Sequence, residues 1–98
     1  MYIVSYDITN NKLRKKVSDV LMNYGQRVQY SVFECEIDSN RYKKMYSQLL
    51  ELTGNMKEGN IKFYFLDKSC KERTVMIGAP KIYPVERGFS KEEETLFI

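Results

Sequence analysis

The chain has 98 residues, 43% of them hydrophobic, and no histidine. That length holds one domain with a thin core, and the missing imidazole excludes Ser-His and Cys-His nucleophiles as well as the commonest zinc ligand. Two cysteines, Cys35 and Cys70, are too few for a four-thiolate centre, and a net charge of +3 permits a polyanionic partner without requiring one.

Residues 2–8 are rich in strand-favouring types. Their alternation places Tyr2, Val4, Tyr6 and Ile8 on one face and Ile3, Ser5 and Asp7 on the other. Thr9, Asn10 and Asn11 supply capping side chains for a helix whose apolar stripe is Leu13, Val17, Val20, Leu21 and Tyr24, with Gly25 as its stop. Its first turn is basic, against the helix dipole, at about 0.3–1 kcal/mol per charge. Strand character returns over residues 26–37, but the apolar parity switches from Val28, Tyr30 and Val32 to Phe33, Cys35 and Ile37. One flat strand cannot bury both sets, so a bulge, bend or tight hairpin is expected near residues 31–33. Asp38 and Ser39 cap a second helix carrying Tyr42, Met45, Tyr46, Leu49, Leu50 and Leu52, which Gly54 and Asn55 end. A strand over residues 60–66 follows, and a further short one over 74–78.

This order is the βαββαβ pattern of an α+β, ferredoxin-like sandwich with an extra C-terminal strand. Residues 1–78 form the domain. Residues 79–98, with their prolines and an apolar end, form an extension expected to lie at a sheet edge and to pair with a partner protomer. No run reaches the ~20 apolar residues of a membrane helix, and the first residues read as a strand rather than a secretion signal, so a cytoplasmic protein with free thiols and no membrane partner is expected.

With both helices on one face, Ile3, Ser5 and Asp7 point to an uncovered side. Such a face invites a second copy about a two-fold axis. Asp7 from each copy then approaches its twin, and a hard cation with oxygen ligands relieves the repulsion; magnesium fits. From pattern alone Asp7 also reads as a turn former or helix cap ahead of Thr9-Asn10-Asn11. Lys12, Arg14, Lys15, Lys16 and Arg27 read either as a solvated face or as a phosphate-binding set.

Two motifs resemble a known family. Val4-Ser5-Tyr6-Asp7-Ile8 with Asn10 to Val17, and Gly25 followed by Val28-Gln29-Tyr30-Ser31-Val32-Phe33-Glu34, are similar to the small CRISPR-associated endonucleases of the Cas-two family. The resemblance implies a homodimeric, magnesium-dependent endonuclease of the CRISPR adaptation machinery acting on RNA or DNA in spacer acquisition. Asp7 would be the catalytic and metal-binding residue. It further implies that Arg14, Lys16, Arg27, Ser31 and Phe33 occupy positions linked to activity or substrate contact, that Tyr6 is a supporting residue, and that the CRISPR-associated integrase is a partner. Two other readings stand beside this one: a non-catalytic DNA-bridging scaffold for the integrase, and a toxin-type ribonuclease of similar fold.

Overall fold

A computed structural model describes residues 1–83. Seven elements follow one another: β1 (Tyr2–Asp7), α1 (Asn11–Leu21), β2 (Gln26–Gln29), β3 (Val32–Cys35), α2 (Ser39–Thr53), β4 (Asn60–Phe65) and α3 (Lys68–Glu72). The four strands form one antiparallel sheet in the order β2-β3-β1-β4. That order is the ferredoxin-like sandwich expected from the element pattern.

Both long helices lie on one face. Val17 and Leu21 of α1 and Met45 and Leu49 of α2 meet Val4, Tyr6, Phe33 and Cys35 of the sheet in a single buried cluster. Truncating a fully buried residue of this kind, such as Phe33, costs about 3–5 kcal/mol. Tyr2, Tyr42 and Phe63 extend the cluster, with Tyr2 stacked on Tyr42 at a centroid distance of 4.2 Å.

The helix ends follow their side-chain chemistry. Asn10 is extended, and its Oδ1 accepts from the Leu13 N–H at 2.9 Å. Asp38 does the same for Arg41 at 2.8 Å. The Arg41 guanidinium then lies 4.8 Å from the Tyr24 ring centroid and donates to the Asn23 carbonyl, joining the start of α2 to the end of α1.

The parity switch is resolved by a tight turn at Tyr30 and Ser31, between β2 and β3, together with a register shift between Arg27 and Gln29. β3 begins at Val32 and ends at Cys35, short of Ile37. Gly25 is not the stop of α1, which ends at Leu21. It instead lies flat against β3, where a Cβ would sit 2.2 Å from the Glu34 carbonyl oxygen.

Two differences fall after β4. Residues 68–72, between the two expected strands, form the one-turn helix α3, capped by Asp67, whose Oδ1 accepts from the Cys70 N–H at 2.8 Å. Residues 74–78, expected as a strand, make no strand pairing among the described residues; Val75 and Ile77 are 83% and 99% exposed. A strand needs an edge to pair with, and none receives this one here. The remainder of the extension, residues 84–98, lies outside the described residues, as does its expected pairing with a partner. No helix among the described residues is long and apolar enough to cross a membrane.

Candidate active site

The register of β1 fixes which side chains share the uncovered face. Directly paired residues project from the same side of a sheet. Ile3 pairs with Glu34 and Tyr64, Ser5 with Val32 and Lys62, and Asp7 with Asn60. All of these lie opposite the helices. Asp7 is exposed while its neighbours Tyr6 and Ile8 are buried, as the alternation requires.

Asp7 ends β1 at a crowded corner. Gly59, at φ +96°, precedes β4 there, and a Cβ on it would sit 2.4 Å from the Asp7 carbonyl oxygen. Only glycine adopts that conformation cheaply, and only glycine leaves room for the backbone of Asp7. On the other side the Tyr6 N–H donates to the Ser31 carbonyl at 3.1 Å, which ties the β2–β3 turn to the same corner. The Asp7 carboxylate has no ion-pair partner among the described residues.

Its donor chemistry suits a hard divalent ion. A carboxylate is acceptor-only, and magnesium binds through one or two carboxylates while keeping several waters. Among the described residues of one chain, no three Asp, Glu, Cys or His side chains gather as a metal-holding group. The described residues of one chain therefore do not complete a metal-holding group at this corner.

At the same end of the sheet, on the helix side, lies a cleft of about 110 Å³ lined by Tyr6, Asn11, Arg14, Lys15, Ser18, Arg27 and Tyr30. Arg14 is anchored by donating from Nη1 to the Ile8 carbonyl at 3.0 Å and from Nη2 to the Asn11 Oδ1. Arg27 is half-buried. It donates from Nη2 to the Ser18 hydroxyl and lies 5.3 Å from the Phe33 ring centroid, while its buried Nε has no hydrogen-bond partner. Burial pushes the Tyr6 phenol above its ordinary value, with the Arg27 charge pulling the other way, so Tyr6 remains a protonated donor at neutral pH.

The sequence-derived residues thus separate into groups. Asp7 stands on the open face, and Lys12 and Lys16 are exposed on α1. Lys15 is exposed and pairs with Asp19 at 3.3 Å. Arg14 and Arg27 line the cleft. Phe33 is fully buried and acts as the floor beneath Arg27, not as a surface for a substrate; Tyr6 is likewise buried, and Ser31 presents its backbone carbonyl to Tyr6. Gly59 and Lys62 were not singled out from the sequence. Gly59 carried a legible signal, a glycine directly before a strand, whereas Lys62 depends on a cross-strand register that local pattern does not encode.

Fold and site together define a class of small ferredoxin-like domains with a strand-end carboxylate on a bare sheet face and a basic cleft behind it. The chain belongs to the family described as CRISPR associated protein Cas2, whose family model matches residues 1–74. It is 34% identical over 82 residues to "CRISPR-associated endoribonuclease Cas2 3" of Synechocystis, covering 84% of this chain and 88% of that relative. The crystal structure of Streptococcus pyogenes Cas2 superimposes with a TM-score of 0.68 at 30% identity, over 79% of this chain and 98% of that one. A chain in a structure named "Partial Cas6-RT-Cas1--Cas2 complex" gives a TM-score of 0.68 at 33% identity, over 78% of this chain and 88% of that one.

Proposed function

We propose that this chain is a magnesium-dependent endonuclease of the CRISPR adaptation machinery, assembled as a homodimer through its open sheet face. The observation that carries the reading is the exposed Asp7 carboxylate at the end of β1, which has no ion-pair partner among the described residues and stands on a face that none of the described helices covers. The names of the relatives support RNA as a substrate, and the Cas1 component of the matched complex supports a CRISPR-associated integrase as partner.

Each residue has a defined task. Asp7 from both protomers supplies the oxygen ligands for the ion. When bound, magnesium supplies a more acidic water and countercharge for the phosphate oxygens. Lys12, Lys16 and Arg14 draw the sugar-phosphate backbone to the α1 side of the corner through charge that reads no sequence. Gly59 holds the Asp7 backbone in place, and Arg27, seated on Phe33 and Ser18, shapes the cleft behind it.

The test is cleavage of labelled RNA and duplex DNA by purified protein with magnesium, comparing the parent with Asp7→Asn. The expected outcome is loss of at least about a hundredfold in rate, the scale of removing a group that acts in the transition state. Equal cleavage by both overturns the reading.

A second reading is favoured by the exposed cations of α1: a DNA-bridging scaffold for the integrase, with Asp7 structural. It predicts duplex binding that weakens steeply with salt and falls when Lys12 and Lys16 are neutralised, in a protein that cleaves nothing.

A further inference from the structure

The open face of the sheet holds ten side chains whose positions follow from register: Ile3, Ser5 and Asp7 of β1, Val32 and Glu34 of β3, Asn60, Lys62 and Tyr64 of β4, and Gln26 and Gln29 of β2. Lys62 is the single cation in this set. It pairs directly with Ser5, and the next pair along is Asp7 with Asn60, so Lys62 stands diagonal to Asp7. Diagonal neighbours across antiparallel strands lie about 7–8 Å apart, within reach of a lysine stem. Lys62 is exposed, and its ammonium has no ion-pair partner among the described residues. β4 is also the outer strand of the sheet, so Lys62 sits at the rim of the face, where a nucleic-acid backbone can reach the carboxylate without parting two packed sheets.

We propose that Lys62 binds a non-bridging oxygen of the phosphodiester presented to Asp7, and so is the phosphate-positioning limb of that site. The inference rests on the reading of Asp7 as the metal-holding carboxylate. Two aspartates balance one divalent ion and leave the charge of the phosphate unmatched. A lysine is a compact point charge with three donors, suited to that oxygen, and the same charge in both protomers flanks the carboxylate pair on either side.

The experiment is a double-mutant cycle on RNA affinity, read by fluorescence anisotropy within seconds of mixing with magnesium. The four proteins are the parent, Lys62→Gln, Asp7→Asn and the double variant, with Lys62→Arg as the conservative control. Lys62→Gln is expected to weaken binding about tenfold in the parent and at most about twofold beside Asp7→Asn, with the salt slope falling by about one. Lys62→Arg recovers most of the loss. Equal losses in both backgrounds identify Lys62 as general surface charge and overturn the proposal. So does no loss at all, and so does a loss that accompanies dissociation of the dimer in light scattering, which would make Lys62 an interface ion. Asp7→Asn that cleaves like the parent marks failure of the Asp7 reading itself and takes this inference with it. Cleavage that depends on Asp7 but not on Lys62, with unchanged affinity, fails this inference alone.

Discussion

Asp7 and its two chain neighbours divide the work of the corner: Tyr6 and Ile8 hold the strand to the core at 3% and 4% exposure, and Asp7 faces solvent. Gly59 guards that arrangement from the other strand. Gly59→Ala places a methyl 2.4 Å from the Asp7 carbonyl oxygen at a φ of +96°. It is expected to lower stability by about 2 kcal/mol or more, measured by urea unfolding, and to depress cleavage in protein that remains folded. Parental stability in this variant would show that the corner is not tight. The cysteines make a second residue-scale prediction. Burial pushes the Cys35 thiol up to about 11, and its side chain is fully enclosed, while Cys70 is half-buried near the surface of α3. The thiolate is the reactive form. At pH 8 a maleimide is therefore expected to label Cys70 alone in native protein and both thiols in denaturant, as mass spectrometry will read; native labelling of Cys35 contradicts this.

Among the elements, α3 shows what local pattern hides. Residues 68–72 form too short a helix for periodicity, and their only advance signal was Asp67 three residues before Cys70. The long helices were legible because their apolar spacing repeats, and the β2–β3 turn because parity reversed. The cross-strand pairs of β1 with β4 were not legible, since register is settled between distant segments; Lys62 became visible only beside Ser5. α3 is fastened to the end of β3 by Lys71 and Glu36 at 2.7 Å, and the hydrogen bond from Lys71 holds the Glu36 carboxyl below its ordinary 4.5. A carboxylate whose folded value is lowered contributes above its unfolded value and loses that contribution as pH falls through the folded one. Protection of α3 amides in hydrogen exchange is accordingly expected to drop on acidification below about pH 4.5, and to drop less in Glu36→Gln, where the Asp67 cap, held below its ordinary 3.8 by the Cys70 N–H, is the group still titrating. A pH-independent difference between the two proteins would remove Glu36 from the account.

On the proposed reading the molecule as a whole presents half a site. Among the described residues the core lies between the sheet and the two long helices, which leaves Ile3, Val32 and Tyr64 on a face that none of the described helices covers, Tyr64 at 50% exposure. A second copy packed there about a two-fold axis, as proposed, would bury them and join two carboxylates. Light scattering is expected to give a mass of two chains for the parent and one for Ile3→Lys, whose circular dichroism stays unchanged because residue 3 is outside the core. Cleavage is expected to fall on dilution more steeply than enzyme concentration, as protomers separate. A monomeric parent that cleaves in proportion to its concentration overturns both expectations.

Arg14 carries a consequence for how charge on α1 is dissected. Its guanidinium donates to the Ile8 and Thr9 carbonyls at 3.0 and 3.4 Å, and so fastens the loop that follows Asp7. Lys12 and Lys16 form no such bonds among the described residues. An alanine scan that counts the three as equal cations would score a slackened loop as a lost phosphate contact. Neutralising Lys12 and Lys16 measures electrostatics; neutralising Arg14 measures electrostatics and the posture of the carboxylate at once.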